Sequence, residues 1–111
     1  MRRPQAPSPS FRVRLALLPT EQGGRHTAVR SGYRPNCWLG EVGGGERLYH
    51  DALFTLEEVS EIAPGETGIA RLQPLYPDYW RDVTPGREAV VCEGRRVVGT
   101  AIVDEATASQ Q

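Results

Sequence analysis

Lysine is absent from this 111-residue chain, and all 13 of its basic residues are arginine. No phosphate-binding loop ending in Gly-Lys-Ser/Thr can therefore be present, which excludes GTP hydrolysis of that kind by the chain itself. Cysteine is scarce, with Cys37 and Cys92 far apart, and His26 and His50 are the only histidines. These four share no Cys-x-x-Cys or His-x-x-x-His spacing, so neither a metal site nor any other cofactor is expected. The five serines, Ser8, Ser10, Ser31, Ser60 and Ser109, suggest no Ser-His-Asp grouping, and the chain is not expected to be an enzyme. Long hydrophobic runs are missing too, and Arg2-Arg3 do not precede an apolar stretch, so neither a membrane span nor a secretory leader is expected. Cytoplasm is the expected compartment, with both thiols buried and reduced. Excess charge is the last absence. With 14 acidic groups the formal net charge is −1, which argues against a general nucleic-acid coat.

What remains is a single small domain patterned for sheet. Phe11, Val13, Leu15 and Leu17 alternate with Arg12, Arg14 and Ala16, a period of two with one wet face. Further strands are predicted over Asn36–Val42, Gly68–Gln73, Arg87–Cys92 and Val97–Val103. The stretch Leu53–Val59 also fits one helical turn, but its place between strands favours an extended segment. Pro64-Gly65 and Pro85-Gly86 are turn signals, because proline presets its own φ and glycine tolerates the next position. Gly43-Gly44-Gly45-Glu46 reads as a flexible turn, and Tyr76–Trp80 as an aromatic loop suited to capping a barrel or to stacking. About six short strands without a convincing helix indicate an all-β fold, a small antiparallel barrel or sandwich over residues 11–104. Residues 1–10, with three prolines, and residues 105–111, small and polar, are expected to be disordered tails.

Two rim segments carry candidate chemistry. In Gly23-Gly24-Arg25-His26-Thr27 the glycines allow a sharp turn with exposed N–H groups, and Arg25 and His26 then project from it. Such a loop can cradle a phosphate. The competing reading is a tight turn whose arginine pairs with a nearby carboxylate. In Glu93-Gly94-Arg95-Arg96 a hairpin tip places a carboxylate beside two guanidiniums, and an ordinary solvated hairpin is the alternative. Gly32-Tyr33-Arg34-Pro35 reads as architecture, with Tyr33 burying its ring while its hydroxyl finds a partner.

These blocks together, with Val97-Val98-Gly99-Thr100-Ala101, resemble the third, C-terminal domain of bacterial elongation factor Tu, from about Phe11 to Asp104. The resemblance implies a six-stranded antiparallel barrel with no nucleotide-binding domain in this chain. It also implies RNA-binding roles for Arg25, His26, Glu93, Gly94 and Arg95 against the T-stem of tRNA. There a carboxylate would accept from a ribose 2′-hydroxyl and a glycine would allow close approach. A translation-factor protein is the other partner that the resemblance suggests. Two departures lower the expected affinity. Gly40–Glu46 holds two carboxylates where the family has a threonine-rich turn, and Tyr76 stands before Pro77 where the family has a lysine.

Overall fold

A computed structural model describes residues 9–40 and 49–108, the last three by backbone alone. Six antiparallel strands close into a barrel: β1 (Pro9–Leu17), β2 (Asn36–Trp38), β3 (His50–Glu57), β4 (Thr67–Pro74), β5 (Glu88–Glu93) and β6 (Arg96–Ala108). Around the barrel they run β1-β4-β3-β2-β5-β6, and β6 pairs with β1 to complete the ring. Closure leaves no long edge to template other chains, an advantage for so small a sheet.

The alternation in β1 has the predicted consequence. Phe11, Val13, Leu15 and Leu17 all point inward and are at most 4% exposed. They meet Phe54 and Leu56 of β3, Ala70 and Leu72 of β4, Val91 of β5, and Val98, Ala101 and Val103 of β6 in one core. Of Leu53–Val59, the part up to Glu57 resolves as strand, because β3 pairs residue by residue with β4 from Ala52↔Pro74 to Glu57↔Ile69; Glu58, at φ +72°, and Val59 lie beyond its end. Helical spacing in a short apolar run was outweighed by the two-sided pairing on offer from its neighbours.

Boundaries differ at both ends of the barrel domain. Pro9 pairs with Ala108 and Ser10 with Thr107, so β1 and β6 extend each other past the expected limits of 11 and 104. Composition alone marked these residues as tail; the pairing supplies hydrogen-bond partners that composition cannot show. The rest of the expected tails, 1–8 and 109–111, and the glycine turn at 43–46 lie outside the described residues. The predicted strand Asn36–Val42 is short, with β2 ending at Trp38. β6 carries one extra residue against each neighbour. Val98 falls between the pairs Cys92↔Val97 and Val91↔Gly99, and Asp104 between Arg12↔Glu105 and Val13↔Val103. Such bulges increase local twist and help a sheet curl shut.

The register sorts the connections into two ends. One end gathers the loop after Leu17, the loop between β3 and β4, and the β5–β6 hairpin. The other gathers the turn after β4, the start of β5 and the chain beyond Trp38. At this second end a 3-10 turn, Pro77–Trp80, drives Trp80 into the barrel, where it is 1% exposed and packs on Phe11 with ring centroids 5.4 Å apart. His50 packs in tilted contact with Tyr76 and with Tyr79, with ring centroids at 5.1 and 4.3 Å. The Tyr79 hydroxyl accepts from the Leu39 N–H at 2.8 Å. Cys37 and Cys92 are buried with no disulfide, and burial first, then the neighbouring Cys92, pushes the Cys37 thiol far above its ordinary pKa.

Candidate nucleic-acid interface

The candidate surface is the polar end. It is built from the loop after β1, Tyr33 in the segment before β2, and the β5–β6 hairpin. Leu17 leads into Pro19 and a 3-10 turn, Thr20–Gln22, whose last hydrogen bonds are Gly23 N–H to Thr20 O (3.1 Å) and Gly24 N–H to Pro19 O (3.0 Å). Both glycine N–H groups are thus committed inside the turn. The expected cradle of exposed N–H groups is corrected by this finding: Gly23 supplies the left-handed backbone, at φ +93°, that ends the turn, and Gly24 serves close packing. A methyl group on Gly24 would collide with the Leu18 and Pro19 carbonyls.

The loop is tied down from the neighbouring strand. Arg96, at the start of β6, donates from Nε to Gly23 O (3.0 Å) and from Nη2 to Gly24 O (2.6 Å). Thr20 Oγ1 donates to Arg25 O at 2.6 Å. Together these bonds fix where Arg25 leaves the backbone.

Arg25 then turns back on its own loop and on the hairpin. Its Nε donates to Thr27 O and its Nη2 to Thr27 Oγ1, both at 3.1 Å, while Nη1 forms an ion pair with Glu93 Oε2. Its guanidinium carbon lies 5.0 Å from the centroid of the Tyr33 ring, within reach of a cation–π attraction. Tyr33 completes the set by donating its hydroxyl to the same Glu93 Oε2 at 2.7 Å. Guanidinium, phenol and carboxylate from three separate segments therefore meet on one oxygen. Of the two readings of the glycine-arginine loop, the pairing with a carboxylate describes Arg25 in the free protein.

The charges follow from this contact. Burial works to raise the Glu93 carboxyl, but bonds from Tyr33 and Arg25, with the Arg25 and Arg96 charges, outweigh it and hold it below its ordinary value. Glu93 is therefore ionised at neutral pH. Burial first, and then the hydrogen bond to Glu93, pushes Tyr33 far above the ordinary phenol range, so its hydroxyl remains a donor.

The hairpin tip has the geometry its glycine calls for. Glu93 pairs with Arg96, leaving Gly94 and Arg95 as a two-residue turn with Gly94 at φ +65°. Positive φ at the first central position is the II′ pattern, which matches the twist of the strands it joins. Asn36 Nδ2 donates to Gly94 O at 3.2 Å and ties the tip to β2.

All five sequence-predicted residues lie at this end, with different surroundings. Arg25 and Glu93 are in contact, while Gly94 is exposed at the tip. Arg95 and His26 are exposed and make no hydrogen bond or ion pair among the described residues. Sequence reasoning missed Asn36 and Thr20, and gave Arg96 only a charge where it has a structural bond. The tyrosine at position 33 was assigned to architecture with a partner for its hydroxyl, but nothing local could identify that partner 60 residues away. Tyr76, which replaces the family's lysine, sits at the opposite end against His50. Gly40 is described and has φ +104°, but Glu41–Glu46 lie outside the described residues. No group of three or more metal-ligating side chains occurs among the described residues, and none of their helices is long and apolar enough to cross a membrane.

No protein-family model matches the chain. It is similar to elongation factor Tu 2 of Streptomyces avermitilis, 32% identical over 102 residues, an alignment covering 87% of this chain and 23% of that protein. The chain thus spans less than a quarter of that relative's length. A closed six-stranded barrel fits a small domain of an elongation factor of this type.

Proposed function

We propose that this chain is a non-catalytic, translation-associated binding module of the cytoplasm that touches the T-stem backbone of tRNA weakly through the Arg25–Glu93 end of the barrel. One observation carries the reading: residues 68 apart in sequence converge at one end, with Arg95 and His26 exposed beside them and unpaired among the described residues. Similarity to an elongation factor Tu supports it. In this reading Arg95 and His26 donate to phosphate oxygens, Gly94 lets the sugar-phosphate chain come close, and Glu93 accepts from a ribose hydroxyl. Arg25 commits three of its five N–H donors internally, so it contributes through the remaining two. The module binds no GTP and needs no cofactor.

Weak affinity follows from the small number of phosphate contacts. Titration of labelled tRNA at low and moderate salt tests the claim, with Arg95→Ala and Arg25→Ala beside the wild type. Each variant is expected to bind less tightly, with the log–log salt slope for Arg95→Ala shallower by about 0.7–0.9. Superimposable curves for all three proteins would refute it.

A second reading, a protein-interaction module for translation-factor partners, is favoured by the neutralisation of this end. Arg25 is paired with Glu93 and Arg30 with Glu61 at 3.4 Å, and the chain's net charge is −1. Recovery of translation proteins on the tagged chain after nuclease treatment would favour it over the RNA reading.

A further inference from the structure

In the free protein Glu93 stands where an anionic ligand of Arg25 would stand. The guanidinium is held from behind by the Tyr33 ring and from the side by Thr27, so its direction is set before any ligand arrives. The carboxylate is the more accessible partner, 36% exposed against 20% for the arginine side chain. An approaching polyanion therefore meets a negative charge before it meets the positive one. While Glu93 compensates its charge, Arg25 adds little to counterion release.

We infer that Glu93 is a resident latch on Arg25, occupying in cis the position of an RNA phosphate, and that tight engagement of a polyanion requires this carboxylate to leave. The inference rests on the RNA reading of the same surface and adds its control element. Two bonds hold the latch, one from Arg25 and one from Tyr33, and both end on Oε2. Rotation of the glutamate side chain breaks both without moving the hairpin, whose backbone is fixed by the Glu93↔Arg96 pair and the Asn36 bond to Gly94. The released carboxylate is then available to a ribose hydroxyl, and the freed guanidinium to a phosphate. Weak binding in the resting state is thus a property of the latch as well as of the small contact number.

The test is Glu93→Gln, which keeps an acceptor for Tyr33, Arg25 and a ribose hydroxyl but removes the charge. In labelled-tRNA titrations it is expected to bind about threefold to tenfold more tightly than wild type, with a salt slope steeper by about 0.7–0.9. Tyr33→Phe keeps the ring beneath Arg25, drops one of the two latch bonds and is expected to fall between the two. A second readout does not depend on RNA. Inorganic tripolyphosphate, followed by the Arg25 Nε–H resonance, should shift that signal in Glu93→Gln at concentrations that leave the wild type unmoved. Equal tRNA affinity and slope for wild type and Glu93→Gln would overturn the latch and leave the RNA reading standing. A tripolyphosphate response confined to Glu93→Gln, with no tRNA binding by either protein, would sustain the latch and remove the RNA reading. An Arg25 signal that tripolyphosphate moves equally in both proteins would also overturn it.

Discussion

The two ends of this barrel are closed by different chemistry. At one, Trp80 enters the core and packs on Phe11, with Tyr79 and His50 in contact outside it. At the other, Arg25, Tyr33, Glu93 and Arg96 join a loop to a hairpin through directed polar bonds. Burying an aromatic ring removes a large apolar area from water, and nothing in solution replaces that contact. A half-exposed ion pair is worth far less, because water and salt compete for both partners. The ring end is therefore suited to holding the barrel shut, and the ionic end to exchanging partners.

Truncating the ring end should have the largest effect. Trp80→Ala is expected to lower unfolding free energy by about 3–5 kcal/mol in urea denaturation, as for other buried aromatic residues. The Trp80 indole Nε1 is buried without a hydrogen-bond partner among the described residues. Trp80→Phe removes that unsatisfied donor while keeping much of the ring, so it should cost less than about 2 kcal/mol. A loss as large as that of the alanine variant would mean that the indole nitrogen is bonded in solution.

Next comes a tightly packed point of the polar end. Gly24→Ala forces a methyl group against two backbone carbonyls and should destabilise by about 1–3 kcal/mol. Retention of full stability would show that the loop can move away from Leu18.

Smaller again is the Arg25–Glu93 pair. A double-mutant cycle to alanine is expected to give a coupling of about 0.5–1 kcal/mol, since Glu93 is 36% exposed and solvent screens the charge. Its pH dependence has a definite sign. The folded-state pKa of Glu93 is lowered from 4.5, so the stabilisation is fully present above 4.5 and fades as pH falls through the lower folded value. The difference between wild type and Glu93→Gln in thermal melts should therefore shrink below pH 4.5. A difference that grows on acidification would contradict the pairing. Arg95→Ala should be nearly silent, within about 0.5 kcal/mol in the same denaturation experiment, because its side chain is exposed and has no partner among the described residues.

Much of the ring end and of the barrel wall was legible in residue order. The period-two pattern of β1 names the inward face, and Tyr76–Trp80 reads as an aromatic loop suited to capping the barrel or to stacking, of which the cap describes the structure. Trp80 itself goes deeper than a cap, because the 3-10 turn after β4 aims it into the interior. The polar end was legible only in part. Arg25, His26, Glu93, Gly94 and Arg95 were picked out by the resemblance to a known factor, and they do share one end. Their states were not legible. Arg25 is bound to Glu93, Arg95 is outward, and the glycine N–H groups are turned into their own 3-10 turn. Polar partners are set by direction and distance in space, which local spacing does not encode.

Residue order by itself determined the all-β class, since alternating side chains can bury one face only as strands, and turn-forming glycines and prolines separate them. Tertiary structure alone decided which oxygen Arg25 meets, because only the pairing of six strands into a ring brings the turn after β1 within reach of a hairpin 68 residues away. Ring closure also brought Pro9 beside Ala108, extending the barrel into segments whose composition marked them as tail. The physical reason is common to both cases: apolar burial depends on a repeating pattern along the chain, whereas a directed hydrogen bond depends on register between segments that the pattern does not relate.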